Sequence, residues 1–244
     1  MRALALLLLV CFSCNAQLRL RDVGFVGPVK ASASASFPSG ATHYWTFNEA
    51  ALSTRVDTPG TADFTVVSTV GSVSGKNNNA AQFSAAASVG EEIATSESLT
   101  KPTDFTVAAW MRLDSGGAAS GALSFILDGT ADAFVRLNFQ EDGTASVFFS
   151  EEGTIGTTGL TLDAWHLFVA RNAGGSGASA FFVDGASVGT GTFTAAGWST
   201  LKALCVGTGT GIVGQMDEPC IFDRVLSDTE ISNMWNGGTG RFGP

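Results

Sequence analysis

Leu204-Cys-Val-Gly207, then Gly214-Gln-Met-Asp-Glu-Pro-Cys-Ile-Phe-Asp-Arg-Val-Leu-Ser-Asp-Thr-Glu-Ile231, and finally Asn236-Gly-Gly-Thr-Gly240 make up the stretch that decides the fold. Two extended apolar runs, the first closed by glycine and the second carrying Asp217-Glu218, lead into one short helical segment. Ser227 with Glu230 three residues on forms a capping box, and Ile231, Met234 and Trp235 give residues 227–236 one apolar face. This is the only good helix signal in the chain, and it comes last.

Upstream of it the pattern is strand after strand. Runs suited to strands recur at 43–49, 80–83, 105–113, 122–127, 134–139, 145–149, 165–171, 180–183, 187–192, 201–206 and 216–223. Between them stand turn signals: Thr58-Pro-Gly60, Asp114-Ser-Gly-Gly117, Asp128-Gly129, Glu141-Asp-Gly143, Asn172-Ala-Gly-Gly175 and Asp184-Gly185. About ten strands at this spacing predict an all-β chain built as a two-sheet antiparallel jelly-roll sandwich with a short C-terminal helix.

Composition agrees. Apolar residues make up 45% and charged residues 14%, with 30 Gly and 18 Phe among 244 residues, which suits many short strands and tight turns rather than helices or disorder. The formal net charge of −9 works against nucleic acid and anionic membrane surfaces as partners. Residues 1–16 start Met-Arg, run apolar from Ala3 to Phe12 and end Cys14-Asn-Ala16, the pattern of a secretory signal peptide too short to span a bilayer. A secreted, extracellular protein with no membrane insertion after cleavage is therefore expected. Residues 17–41 read as an N-terminal arm, in which Leu18-Arg-Leu-Arg-Asp-Val-Gly-Phe-Val26 partly alternates and Ala31-Ser-Ala-Ser-Ala-Ser36 is a small-residue linker. The arm reads either as an unstructured leader or as a strand that adds to the sheet edge of another copy. The sandwich domain is expected over 42–244.

Four further stretches carry a family resemblance. They are Tyr44-Trp-Thr-Phe-Asn-Glu49 with Arg55-Val-Asp57; Gly75-Lys76 through Ala80-Ala-Gln-Phe83; Asp104-Phe-Thr-Val-Ala-Ala-Trp-Met111; and Trp165-His-Leu-Phe-Val-Ala170 with Phe182-Val-Asp-Gly185. Together with the C-terminal stretch they resemble, in order, the laminin-G-like domains of the concanavalin A-like lectin-glucanase superfamily, in the variety common among secreted bacterial and bacteriophage proteins. The resemblance implies a jelly roll and leaves function open, since such domains bind carbohydrate, mediate adhesion or build virions and appendages.

It also implies candidate ligands for a structural calcium ion: Asn48 and Glu49 at the end of the first strand, Asp57 in the next loop, and Asp217 and Glu218 on the last strand. Hard cations take several oxygens from convergent loops. The alternative is that Asp217 and Glu218 cap loop amides. Cys205 and Cys220, the two cysteines beyond the leader, sit where related sequences tend to carry outward polar residues. In an oxidising compartment a surface disulfide between neighbouring strands is the expectation, with two unpaired thiols as the alternative.

Catalysis finds little support. Glycoside hydrolysis on this architecture needs carboxylates at alternate strand positions, whereas Glu91-Glu92, Glu141-Asp142, Glu151-Glu152 and Asp217-Glu218 are adjacent pairs, expected to diverge and to be solvated. His43 and His166 fall inside strand motifs and read as structural. Trp45, Trp110 and Trp165 occupy motif positions expected in the core. Trp198, in Ala195-Ala-Gly-Trp-Ser-Thr200, falls outside those positions and is the candidate sugar-stacking platform, with Phe242 second. The expectation is a secreted, non-catalytic binding or adhesion module for a glycan or cell-surface polymer. Its rival is a structural subunit of an extracellular filament or virion that joins copies of itself through residues 17–41.

Overall fold

The computed structural model describes residues 36–66, 70–84, 91–95, 99–100, 102–116, 121–128, 133–149, 153–174, 176–193, 200–208 and 212–243. The predicted leader, residues 17–35 of the predicted arm, and Trp198 lie outside the described residues. Among those described, strands form two antiparallel sheets. The first runs in the order β14 (Ala186–Thr192), β13 (Ala178–Val183), β12 (His166–Ala173), β7 (Asp104–Leu113), β16 (Val213–Phe222), β4 (Asn79–Ser84), β3 (Gly71–Ser74), and β1 (Ala41–Tyr44) pairs with β16. The second runs β11 (Gly153–Thr157), β10 (Ala145–Phe149), β9 (Ala133–Gln140), β8 (Ala122–Asp128), β15 (Thr200–Thr208), β5 (Glu91–Thr95), β2 (Phe64–Val66), and β6 (Leu99–Thr100) pairs with β15. Helix α1 (Asp228–Trp235) closes the chain, with Ser227 and Glu230 making both bonds of the capping box. No helix among the described residues is long and apolar enough to cross a membrane.

Strand alternation explains the layers. In β7, Phe105, Val107, Ala109, Met111 and Leu113 face the second sheet, where Phe125, Leu137, Phe139 and Val147 meet them. Each such ring or branched side chain stabilises by roughly 1.5–3 kcal/mol on burial. The intervening residues of β7, Ala108 and Trp110, are buried as well, in a second cluster with Leu167, Phe182, Phe222, Ile231 and Met234. The helix covers this outer face, so β7 and β13 read as near-continuous apolar runs instead of alternating ones, and β12 and β16 are buried along most of their length on both faces. Trp235 stacks on Trp110 with centroids 5.4 Å apart. Phe37, within the predicted arm, packs edge-on to Tyr44 at 5.3 Å, and the Gly243 amide donates to the Tyr44 hydroxyl at 3.0 Å.

The cysteine expectation fails. Cys205 and Cys220 are free, buried thiols. β15 and β16 follow one another in sequence but belong to different sheets, so they do not pair. Cys205 points into the space between the sheets, while Cys220 points the other way, into the cluster beneath the helix. Two such residues cannot meet a disulfide's Cβ geometry. Burial pushes both thiols well above the usual range.

Candidate functional site

Asp217 and Glu218 do not diverge and are not solvated. The pairing of β16 with β7 runs in register through Asp217 opposite Trp110 and resumes at Cys220 opposite Ala108. In the bulge between them Glu218 takes φ 54°. A bulge re-aims side chains that a regular strand would send to opposite faces. Both carboxyls consequently meet the turn joining β3 to β4. Asp217 Oδ2 accepts from the amides of Lys76 and Asn77, each at 2.9 Å, and Glu218 Oε1 accepts from Asn77 Nδ2 at 2.8 Å. Gly75 is required here, since a Cβ would lie 2.6 Å from the Asn79 carbonyl carbon and 2.7 Å from Asp217 Oδ2. The opposite oxygens, Asp217 Oδ1 and Glu218 Oε2, are buried without a hydrogen-bond partner. Burial raises the two acids from 3.8 and 4.5 to about 8 and about 9, against the Lys76 and Asn77 amides that favour ionised Asp217.

The other candidate ligands are committed elsewhere. Asp57 Oδ1 accepts from the Tyr44 amide at 2.9 Å, and its Oδ2 takes the Ala62 amide at 3.0 Å and lies 2.6 Å from His43 Nδ1. Glu49 Oε1 accepts from the Val56 amide at 2.9 Å. Asn48 does reach the turn, its Oδ1 accepting from the Asn79 amide at 2.9 Å. No group of three or more acidic, His or Cys side chains placed to hold a metal occurs among the described residues. What fits a hard cation is thus the Asp217–Glu218 pair of unpartnered oxygens; Glu49 Oε2, likewise without a hydrogen bond, faces Arg55 Nη1 at 3.8 Å, and both oxygens of Asp57 are taken.

His166 is a structural tie. Its Nδ1 lies 2.7 Å from Asp184 Oδ2 and its Nε2 2.9 Å from the Thr161 carbonyl, while Asp184 Oδ1 accepts from the Leu167 amide at 3.0 Å. Two acceptors on one ring favour the doubly protonated imidazolium. Burial lowers the pKa, but the bonds to Asp184 and Thr161 and the Asp184 charge outweigh it, and the net shift is upward from 6.5. A raised folded pKa contributes stability that is complete below about pH 6.5 and is lost as pH rises through the folded value. His166→Gln is therefore expected to cost about 1–2 kcal/mol at pH 6 and less at pH 9, read from denaturant midpoints across pH. Equal cost at both pH values would rule out the charged tie.

Sequence reasoning missed the outer face of the second sheet. In β8, β9 and β10 the inward residues are Phe125, Leu137 and Val147, so Ile126, Arg136 and Phe148 point outward. Register places Phe148 opposite Arg136, Arg136 opposite Ile126 and Ile126 opposite Leu204, a single row across four strands. The next row holds Ser146, Asn138, Ser124 and Val206, with Ser124 Oγ donating to Asn138 Oδ1 at 2.6 Å. Helix α1 and the C-terminal tail pack on the first sheet, and Ile126, Arg136, Asn138, Phe148 and Val206 keep partial contact with solvent. Arg136 Nε is buried between its neighbours without a hydrogen-bond partner. The signal was present as alternation: Arg136-x-Asn138-x-Gln140 and Ser146-x-Phe148 put planar polar groups and an aromatic ring at outward positions. Trp45 and Trp110 are buried as expected, and Trp165 is half-buried against the cluster beneath the helix.

The family model of the concanavalin A-like lectin/glucanases superfamily, laminin G type, matches residues 87–232. The chain belongs to this family. Its fold is similar to that of Trypanosoma rangeli sialidase solved with 2,3-difluorosialic acid, at TM-score 0.65 and 17% identity over 87% of this chain and 36% of that one. It is also similar to the botulinum neurotoxin serotype D ligand binding domain solved with N-acetylneuraminic acid, at TM-score 0.63 and 11% identity, covering 81% and 51% of the two chains. The botulinum neurotoxin type G receptor binding domain is similar at TM-score 0.61 and 14% identity, covering 82% and 52%. The chain spans between about a third and a half of these proteins' lengths, and at such identities the likeness is one of fold. No curated protein matches it in sequence.

Proposed function

We propose that this protein is a secreted, non-catalytic carbohydrate-binding module that holds an acidic glycan on the outer face of its second sheet. The observation that carries the reading is Arg136, a guanidinium with an unpartnered buried Nε, flanked by Phe148 and Ile126 and bordered by the Asn138–Ser124 pair. The Nε atoms of Arg55, Arg112 and Arg241 are likewise without a hydrogen bond, so what sets Arg136 apart is its place beside Phe148 and the Asn138–Ser124 pair on an outward face. A sugar carboxylate can accept from the guanidinium, the phenyl ring takes a pyranose C–H face, and the amide and hydroxyl take ring hydroxyls. These are groups for holding a sugar; hydrolysis takes two carboxylates placed across the glycosidic bond. Support also comes from the neurotoxin domain of the same fold solved with N-acetylneuraminic acid. Secretion rests on residues 1–16, and Trp198 is retained as a second platform in the proposal. The test is glycan binding by the wild type beside Arg136→Ala, Phe148→Ala and Trp198→Ala.

We propose further that Asp217 and Glu218 hold a structural calcium ion through Oδ1 and Oε2, with Asn48 near the same turn. Support comes from the two unpartnered buried oxygens. In a chelator, the folded state keeps protons on this pair up to about pH 8 and 9 while the unfolded chain releases them near pH 4. The folded state then binds more protons across that window, so stability is expected to fall as pH rises from about 5 to 9. Millimolar calcium should hold the ionised pair and raise the melting temperature at pH 8 by about 5 °C or more. A melting temperature at pH 8 that calcium and chelator leave equal in the wild type would remove the ion from the account.

A further inference from the structure

We infer that a groove on the first sheet, beyond the N-terminal end of α1, is a second saccharide site, one that takes an uncharged sugar. Its floor is built by register: Arg171, Ala180 and Thr190 form one row across β12, β13 and β14, and Ala173, Ala178 and Thr192 form the next. Segment 225–230 walls it, and the cavity so formed measures about 680 Å³. That volume falls in the usual range for small-ligand sites.

The charges in the groove are already matched. Arg171 Nη1 donates to the Leu226 carbonyl at 2.6 Å and to Asp228 Oδ1 at 2.7 Å, while its guanidinium lies 4.7 Å from the Phe182 ring centroid. Glu230 Oε1 is paired with Arg224 Nη2 at 2.7 Å. A phosphate or an amine would have to displace one of these partners, so the groove is unsuited to an ion. A hydroxylated neutral ring meets no such cost. The fixed Arg171–Asp228 pair offers a planar donor array beside a carboxylate whose side chain is 73% exposed, an arrangement that serves adjacent hydroxyls, and the alanine floor admits a C–H face. Val225, 36% exposed, adds an apolar edge.

The groove and the Arg136 face belong to different sheets and look outward on opposite sides of the sandwich. Occupied together, they would let one copy bridge two polysaccharide chains, and bivalency of this kind raises avidity without new contacts. The inference does not depend on the Arg136 face, because none of its residues is shared.

The test is a calorimetric titration of the full protein with four uncharged hexaoses, those of glucose, galactose, mannose and xylose. Thr190→Trp fills the groove from an exposed position on an edge strand, where an aromatic residue is well tolerated. At least one hexaose should bind, with affinity at least tenfold weaker in Thr190→Trp and unchanged in Val56→Ala, an exposed position outside both faces; equal melting temperatures establish that both variants are folded. Binding that Thr190→Trp leaves intact would overturn the inference, as would no binding of any hexaose at about 10 mM, the range of the weakest specific affinities. Loss in Phe148→Ala alone would also overturn it while placing the sugar on the second sheet.

Discussion

Arg55→Leu is expected to lower the unfolding free energy by about 3–5 kcal/mol, the cost of breaking a buried charged network by removing one partner. Arg55 is fully buried. Its Nη1 donates to the carbonyls of Glu49 at 2.5 Å and Ala50 at 3.1 Å, and its Nη2 to that of Gly71 at 3.2 Å. Glu49 Oε2 stands 3.8 Å away, and the guanidinium lies 5.9 Å from the Phe47 centroid. Burial lowers its pKa, and the Glu49 charge opposes that shift. The side chain thereby ties the loop after β1, in which Leu52 is 64% exposed at φ 60°, to the start of β3. Leucine would remove the side-chain donors to the Glu49, Ala50 and Gly71 carbonyls, of which Ala50 keeps the Ser53 amide at 3.2 Å. Lysine keeps the charge but not the fork, and should recover less than half of the loss. Chemical denaturation with an unchanged m-value measures both; a loss below about 1 kcal/mol for Arg55→Leu would mean that the network is not what holds the loop.

Arg136→Ala and Phe148→Ala are each expected to weaken glycan binding by about 10- to 100-fold while changing stability by no more than about 1 kcal/mol. The two effects separate because both side chains point away from the inter-sheet core and keep partial contact with solvent. Arg136→Lys tests the chemistry more sharply. A lysine keeps the positive charge on the same row but cannot donate in parallel to a carboxylate, so it should restore less than half of the lost binding energy. Equal affinity for wild type and Arg136→Ala would place the site elsewhere.

Much of the fold was legible in the residues. The capping box at Ser227 and Glu230, the apolar positions Ile231 and Met234, and the longer strands stand where their local signals put them, whereas the run 43–49 is a strand only to Tyr44 and turns at Phe47, φ 55°, so Asn48 and Glu49 lie in the loop beyond it. Short strands were harder: β3, Gly-Ser-Val-Ser, has one β-branched residue and β11, Gly-Thr-Ile-Gly-Thr, is interrupted by glycines, and both owe their conformation to the neighbours they pair with. Topology was hidden where it depends on long-range pairing. Adjacent sequence made β15 and β16 look like neighbours in one sheet, and only their placement in opposite sheets shows why Cys205 and Cys220 stay apart. The bulge at Glu218 had a signal that went unread: Pro219 cannot donate to a sheet ladder and inside a central strand belongs at a bulge, although glutamate itself is an unfavourable choice for φ 54°. That one backbone angle turns a pair expected to diverge into two buried carboxyls sharing a turn. The outward row of Arg136 and Phe148 could have been found by reading β9 and β10 for what their polar positions carry, instead of for their alternation alone.

The central claim is that a glycan is held at Arg136 and Phe148. The most direct measurement is a glycan array carrying sialylated, uronate-containing and neutral oligosaccharides, probed with the wild type and with the Arg136→Ala/Phe148→Ala double variant at matched concentration and verified fold. The account predicts that the wild type retains carboxylated glycans and that the double variant loses them. A wild type that retains no carboxylated glycan, or a double variant that retains the same ones equally well, would contradict it.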